Sequence, residues 1–175
     1  AYQLARERMN ILEEVNHFLG TSPKELLPKV KNISDSLASA EKEIERLQTQ
    51  QVASEFESKL DQTEEIEGVT TLRATLPEAS MDALREMADK FRAKVDSGVA
   101  VLASAQEGRP ILIATVTEDL VKRGLHAGEL VKRVAQIVGG GGGGRPTLAQ
   151  AGGKDSSKIS EALDQVPGYI RENLK

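Results

Sequence analysis

From the first residues onward the chain alternates apolar and polar positions at helical spacing. Leu4, Ile11, Leu12, Val15, Phe18 and Leu19 form one stripe, which stops at Gly20. Thr21 or Ser22 can cap a second helix, with Pro23 allowed in its first turn. There Leu26, Val30, Ile33, Leu37, Ala40, Ile44 and Leu47 lie alternately four and three residues apart, the spacing of a coiled-coil seam. Gln51 and Ser54 occupy the next two seam positions, while Val52, Phe56 and Leu60 continue one residue out of register, as a stutter would produce. Residues 1–65 are therefore expected to form a helical arm, a short helix and a long one joined by a tight turn as an antiparallel hairpin. The seam has two possible uses, packing the arm on itself or pairing two copies.

After Gly68 the period shortens. Thr70 to Leu76 alternates Leu72, Ala74 and Leu76 as a half-buried strand does, and Ser80 then caps a helix whose inner face is Met81, Leu84, Met87, Ala88, Phe91 and Val95. Two continuous apolar runs, Val99 to Ala103 and Ile111 to Val116, flank Gln106-Glu107-Gly108-Arg109-Pro110 and predict central strands joined by a tight turn. Thr117 is placed to cap one helical turn ending at Gly124, and a helix from Ala127 to Val138 buries Leu130, Val134, Ile137 and Val138. Thr147 to Ala151 reads as a short strand, Asp155 as the start of a helix broken by Pro167-Gly168, and Tyr169 to Leu174 as a last helical stretch. The expected fold class is α/β (mixed α+β): a helical arm over residues 1–65, then a small globular domain over 66–175 with a short sheet flanked by helices.

Composition narrows the chemistry. With 175 residues, no Trp and 3% aromatics, any core is built from aliphatic side chains. The absence of Cys removes disulfides, thiol nucleophiles and thiolate metal sites, and suits a reducing compartment such as the cytoplasm. No apolar run approaches the ~20 residues of a membrane span. Of the 23 Lys and Arg and 27 Asp and Glu, residues 1–65 hold 8 and 13, so the net charge of -4 belongs to the arm and the remainder is near neutral. Ala1 stands where a start Met would be, and Tyr2 onward reads as helix with no cap before it, so the chain is expected to be a piece of a longer protein.

The most unusual segment is Gly139-Gly140-Gly141-Gly142-Gly143-Gly144 with Arg145 and Pro146. It follows a helix, whereas a dinucleotide fingerprint follows a strand and opens a helix; a phosphate-binding Walker loop needs Lys and Ser or Thr where this chain has Arg145 and Pro146. Both readings are rejected. Each ordered glycine costs about 0.5–1 kcal/mol of extra backbone entropy, so something should require six of them. Their amides can turn toward a phosphate or ribose; a flexible linker, or a loop kept small beneath a helix, are the other readings. Arg145, Lys154 and Lys158 lie near the run, and Lys132 and Arg133 on the helix leading in; each is also an ordinary solvated charge. His126 can cap a helix or meet a phosphate, His17 lies beside an apolar stripe, and two histidines without cysteine make no typical zinc hydrolase site.

The stretch Val116 to Lys132, with Val116-Thr117-Glu118-Asp119-Leu120 and Gly124-Leu125-His126-Ala127-Gly128, followed by Gly139 to Gly144, Arg145-Pro146 and Ala149-Gln150-Ala151-Gly152-Gly153-Lys154, closely resembles the C-terminal domain of alanyl-tRNA synthetases. Leu12-Glu13-Glu14 and Leu19-Gly20 are similar to the family's connector. Thr147 stands where many relatives have an acid. The resemblance implies the α/β domain also attached to DHH-type phosphoesterases. It further implies a non-catalytic piece of a ligase that contacts the outer corner of alanine tRNA, tethers aminoacylation to editing, and works beside the rest of the synthetase in the cytoplasm without a membrane. On this basis Arg123, His126, Lys132, Arg133, the six glycines, Arg145 and Lys154 are the expected RNA-binding residues. Leu26, Val30, Ile33, Leu37, Ile44 and Leu47 are the expected contacts of a possible homodimer. No cofactor is expected in this piece; ATP, magnesium and the editing zinc would belong to the parent's other domains. The alternatives are a coiled-coil oligomerisation module, or a substrate-binding accessory domain of a DHH-type phosphoesterase.

Overall fold

The computed structural model describes residues 2–175; Ala1, on which the reading of the chain's start rests, lies outside them. Two compact units divide between Leu47 and Gln48. In the first, α1 (Tyr2–Leu19) ends at Gly20, which takes φ +59°, and α2 (Leu26–Leu60) begins after a short turn in which the Thr21 N–H donates to the Asn16 carbonyl. Helix, turn and long helix stand where the apolar pattern puts them. The burial expected of a packed hairpin does not follow, because Leu12, Phe18, Val30, Ile33, Leu37, Ile44 and Leu47 are all exposed. An apolar stripe is buried only by a partner, and in the single chain none covers these residues.

The second unit takes in the last turns of α2, with Val52 and Phe56 fully buried. Its sheet comprises β1 (Glu64–Ile66), β2 (Val69–Thr75), β3 (Gly98–Gln106), β4 (Arg109–Val116), β5 (Gly141–Gly144) and β6 (Leu148–Gly152), in the order β1-β2-β3-β4-β6-β5. Only β2 and β3 run parallel, and α3 (Met81–Lys94) makes the crossover that a parallel pair needs. The Ser80 hydroxyl accepts from the Ala83 N–H, as a cap should. β3 and β4 are joined by a two-residue turn in which Glu107 and Gly108 both take positive φ, the geometry whose twist matches a hairpin.

Alternate residues of the central strands feed two cores. Ala100, Leu102 and Ile113 face α3, where they pack with Phe56, Leu72, Leu84, Met87 and Phe91. Val99, Val101, Leu112, Ala114 and Val116 face the opposite layer of α4 (Glu118–Lys122), α5 (Ala127–Ile137), α6 (Ile159–Leu163) and α7 (Val166–Asn173). Asp155 opens a short 3-10 turn, Ser156–Lys158, by accepting from the Ser157 N–H. Thr117 precedes α4 as expected, yet its hydroxyl does not cap that helix; it accepts from the Gly98 N–H and ties the start of β3 to the end of β4.

Candidate nucleic-acid interface

The glycine run is neither a linker nor an irregular loop. Gly139, at φ +66°, turns the chain out of α5, the Gly140 N–H donates to Ala135 O, and Gly141 to Gly144 form the edge strand β5, antiparallel to β6. Along the run from Gly140 the glycines divide by alternation. A Cβ on Gly140 would stand 1.8 Å from Gly152 O, one on Gly142 2.3 Å from Gln150 O, and one on Gly144 2.6 Å from both Ala149 Cα and Leu148 O. These approaches to the β6 backbone are impossible for any other residue. A Cβ on Gly141 would meet nothing within 4 Å, and one on Gly143 only Lys132 Cε at 3.8 Å. Half of the run is thus required by the β5–β6 pair, and Gly141 and Gly143 are left open to a partner.

The strand is roofed by α5. A Cβ on Gly128, in its first turn, would come within 3.2 Å of Gly144 O, and at the other end Val138 O accepts from the N–H groups of Lys154 and Asp155. β5 therefore runs back beneath the helix that leads into it, and Lys132 is brought over Gly143. The Arg145 N–H donates to Leu148 O and closes the hairpin, while its side chain is exposed and makes no ion pair among the described residues. Lys132 and Lys154 are likewise exposed.

Other expected site residues are engaged elsewhere. Arg133 makes a bidentate pair with Glu172 of α7; this hydrogen bond holds the guanidinium above its ordinary pKa and Glu172 below the usual carboxylate range. His126 occupies the N-cap position of α5 without a side-chain cap, and its backbone is clamped by Tyr169, whose hydroxyl accepts from His126 N–H and donates to His126 O. Burial pushes the Tyr169 phenol up. Arg123 binds the last residue, Nε to Lys175 O at 3.4 Å. Of the basic residues singled out in the sequence, Lys132 and Arg145 are the ones placed directly on the glycine strand.

A second basic group lies across the sheet. Arg85 and Arg92 of α3 line, with Arg145, Gly143, Gly144 and Gln150, an open cleft of about 670 Å³. Nothing local in the sequence links α3 to the glycine run; the β4–β6 pairing brings them together.

The family model of the DHHA1 domain matches residues 68–172. The chain belongs to the DHHA1 domain family. Its DHHA1 fold aligns with the crystal structure of the C-Ala domain from Aquifex aeolicus alanyl-tRNA synthetase at 28% identity and TM-score 0.59, covering 62% of this chain and 96% of that one. The chain is also similar to the alanine–tRNA ligases of Geobacillus kaustophilus, 47% identical over 171 residues, and Pelotomaculum thermopropionicum, 42% identical over 175 residues. These alignments cover 98% and 100% of this DHHA1 chain and 19% and 20% of the respective ligases, so the chain spans about a fifth of the length of those relatives. No helix among the described residues is long and apolar enough to cross a membrane.

Proposed function

We propose that this chain is the tRNA-binding C-terminal part of a cytoplasmic alanine–tRNA ligase, non-catalytic in itself, which holds the outer corner of alanine tRNA and so links aminoacylation to editing. The observation that carries the reading is the glycine strand, half of it open, with Lys132 above it and Arg145 at its end, on a fold shared with a C-Ala domain. In this reading ATP, magnesium and the editing zinc act in the parent's other domains, and the catalytic steps occur there. Filter binding of this chain to an alanine tRNA transcript across a salt series tests it. Affinity is expected to fall steeply as salt rises, because phosphate contacts release counterions. Absence of binding at low salt overturns the reading. Arg145→Ala is expected to weaken binding several-fold and to lower the salt slope by about 1, the signature of one lost phosphate contact, with an unchanged melting temperature. Equal affinity would remove Arg145 from the interface.

The exposed seam of α2 favours a second, compatible reading, pairing of two copies through Leu26, Val30, Ile33, Leu37, Ile44 and Leu47. All but Leu26, which is half-buried, are exposed on the single chain, and a row of this kind is unfavourable in water. Sedimentation should give a dimer for the wild type and a monomer for an Ile33→Asp, Ile44→Asp variant. A monomeric wild type at high micromolar concentration rejects this use of the arm.

A further inference from the structure

We infer that the cleft between α3 and the β5–β6 hairpin is a phosphate-binding site for the RNA strand, on the opposite face of the sheet from α5. The inference rests on the proposed tRNA binding and names the surface that carries it. Three arginines, Arg85, Arg92 and Arg145, line the cleft against one carboxylate, Asp89. Arg85 and Arg92 lie seven residues apart, two turns of one helix face and about 10 Å along its axis, so they address two phosphates rather than one.

The hydrogen bonds these groups make now are exchangeable. Arg85 pairs with Asp82 of its own helix and donates from its second nitrogen to Gln150 Oε1 at 2.8 Å; Arg92 pairs with Asp89, three residues earlier. Local pairs of this kind on an exposed helix face are weak. Arg145 is exposed and has no ion pair among the described residues, so its guanidinium is free to take a new acceptor. A phosphodiester supplies an acceptor in the bidentate geometry that guanidinium favours.

The compact unit also limits how RNA can be read. Its three aromatic rings, Phe56, Phe91 and Tyr169, are all buried, so no Phe or Tyr face is available for base stacking. The contacts inferred for the cleft are to the phosphate backbone, which carries no sequence information directly.

The experiment is a salt-series titration of the whole chain with an alanine tRNA transcript and a non-cognate tRNA. It compares wild type, an Arg85→Gln, Arg92→Gln double variant, Gln150→Glu and Lys132→Gln. The double variant is expected to lose about tenfold or more in affinity for both tRNAs and to lower the salt slope by about 2, one for each phosphate contact. Gln150→Glu leaves α3 intact and places a second carboxylate in the cleft, so it should also weaken binding of both, which guards against misreading a folding defect in the double variant. Wild-type binding that survives both changes, or that is lost only with Lys132→Gln, overturns the cleft and puts the RNA on the α5 face. Wild-type protein that binds neither tRNA overturns the broader reading and the cleft with it.

Discussion

Gly142→Ala is expected to destabilise the compact unit by at least 2–3 kcal/mol, the upper range for overpacking, while Gly141→Ala is expected to be neutral or slightly stabilising. The difference arises from alternation along one edge strand. A methyl on Gly142 would lie 2.3 Å from Gln150 O and 2.4 Å from Ala151 Cβ, and both belong to the strand that pairs with it. Neither neighbour is the end of a flexible side chain, so relief requires β5 to leave β6. At Gly141 the same methyl points into open space at a φ an alanine adopts, and it lowers the entropy of the unfolded chain. Gly140→Ala, at 1.8 Å from Gly152 O, should resemble Gly142→Ala, and Gly143→Ala should resemble Gly141→Ala. Urea unfolding of the four variants checks the pattern. Equal losses at positions 141 and 142 would mean that β5 does not pair with β6 in this register.

How much of this was legible beforehand differs between the two halves of the glycine signature. The run's cost in entropy announced that something required it, and its place after a helix excluded the nucleotide-binding loops. The reason for the requirement lay in Ala149 to Gly152, whose backbone comes too close for any Cβ; that is a non-local pairing, and no periodicity records it. The strands from Val99 to Val116 were readable because both faces are buried and the apolar run is continuous. Arg85 and Arg92 were invisible as site residues for the opposite reason. On α3 they look like ordinary solvated charges of a helix whose inner face is Leu84, Met87, Ala88 and Phe91, and it is the order β4-β6-β5 that places them opposite Arg145. Lys132 and Arg133 are neighbours in sequence with different fates. One turns over Gly143, and the other is held by Glu172, 39 residues on, in a helix the local sequence does not connect to it.

Phe56→Ala is expected to cost about 3–5 kcal/mol, a large fraction of the stability of a small domain. In the sequence this residue belongs to the arm, as part of a seam that slips out of register after Leu47. The slip has a physical meaning. From Leu27 to Leu47 the apolar positions of α2 are exposed, whereas Val52 and Phe56, shifted by one, are buried against the α3 side of the sheet with Leu72, Leu84, Met87 and Phe91. The change of register marks a change of partner, from whatever covers the seam to the domain's own core. A chain beginning at Asp61, just after α2, would keep β1 but lack both residues and expose the apolar surface they cover. It should therefore melt well below a chain beginning at Gln48, by more than 10 °C if the loss reaches 3 kcal/mol in a unit of this size. Thermal unfolding of the two fragments, with Phe56→Ala in the longer one, separates the contribution of the phenyl ring from that of the helix. If all three melt together, the last turns of α2 belong to the arm and the core closes without them.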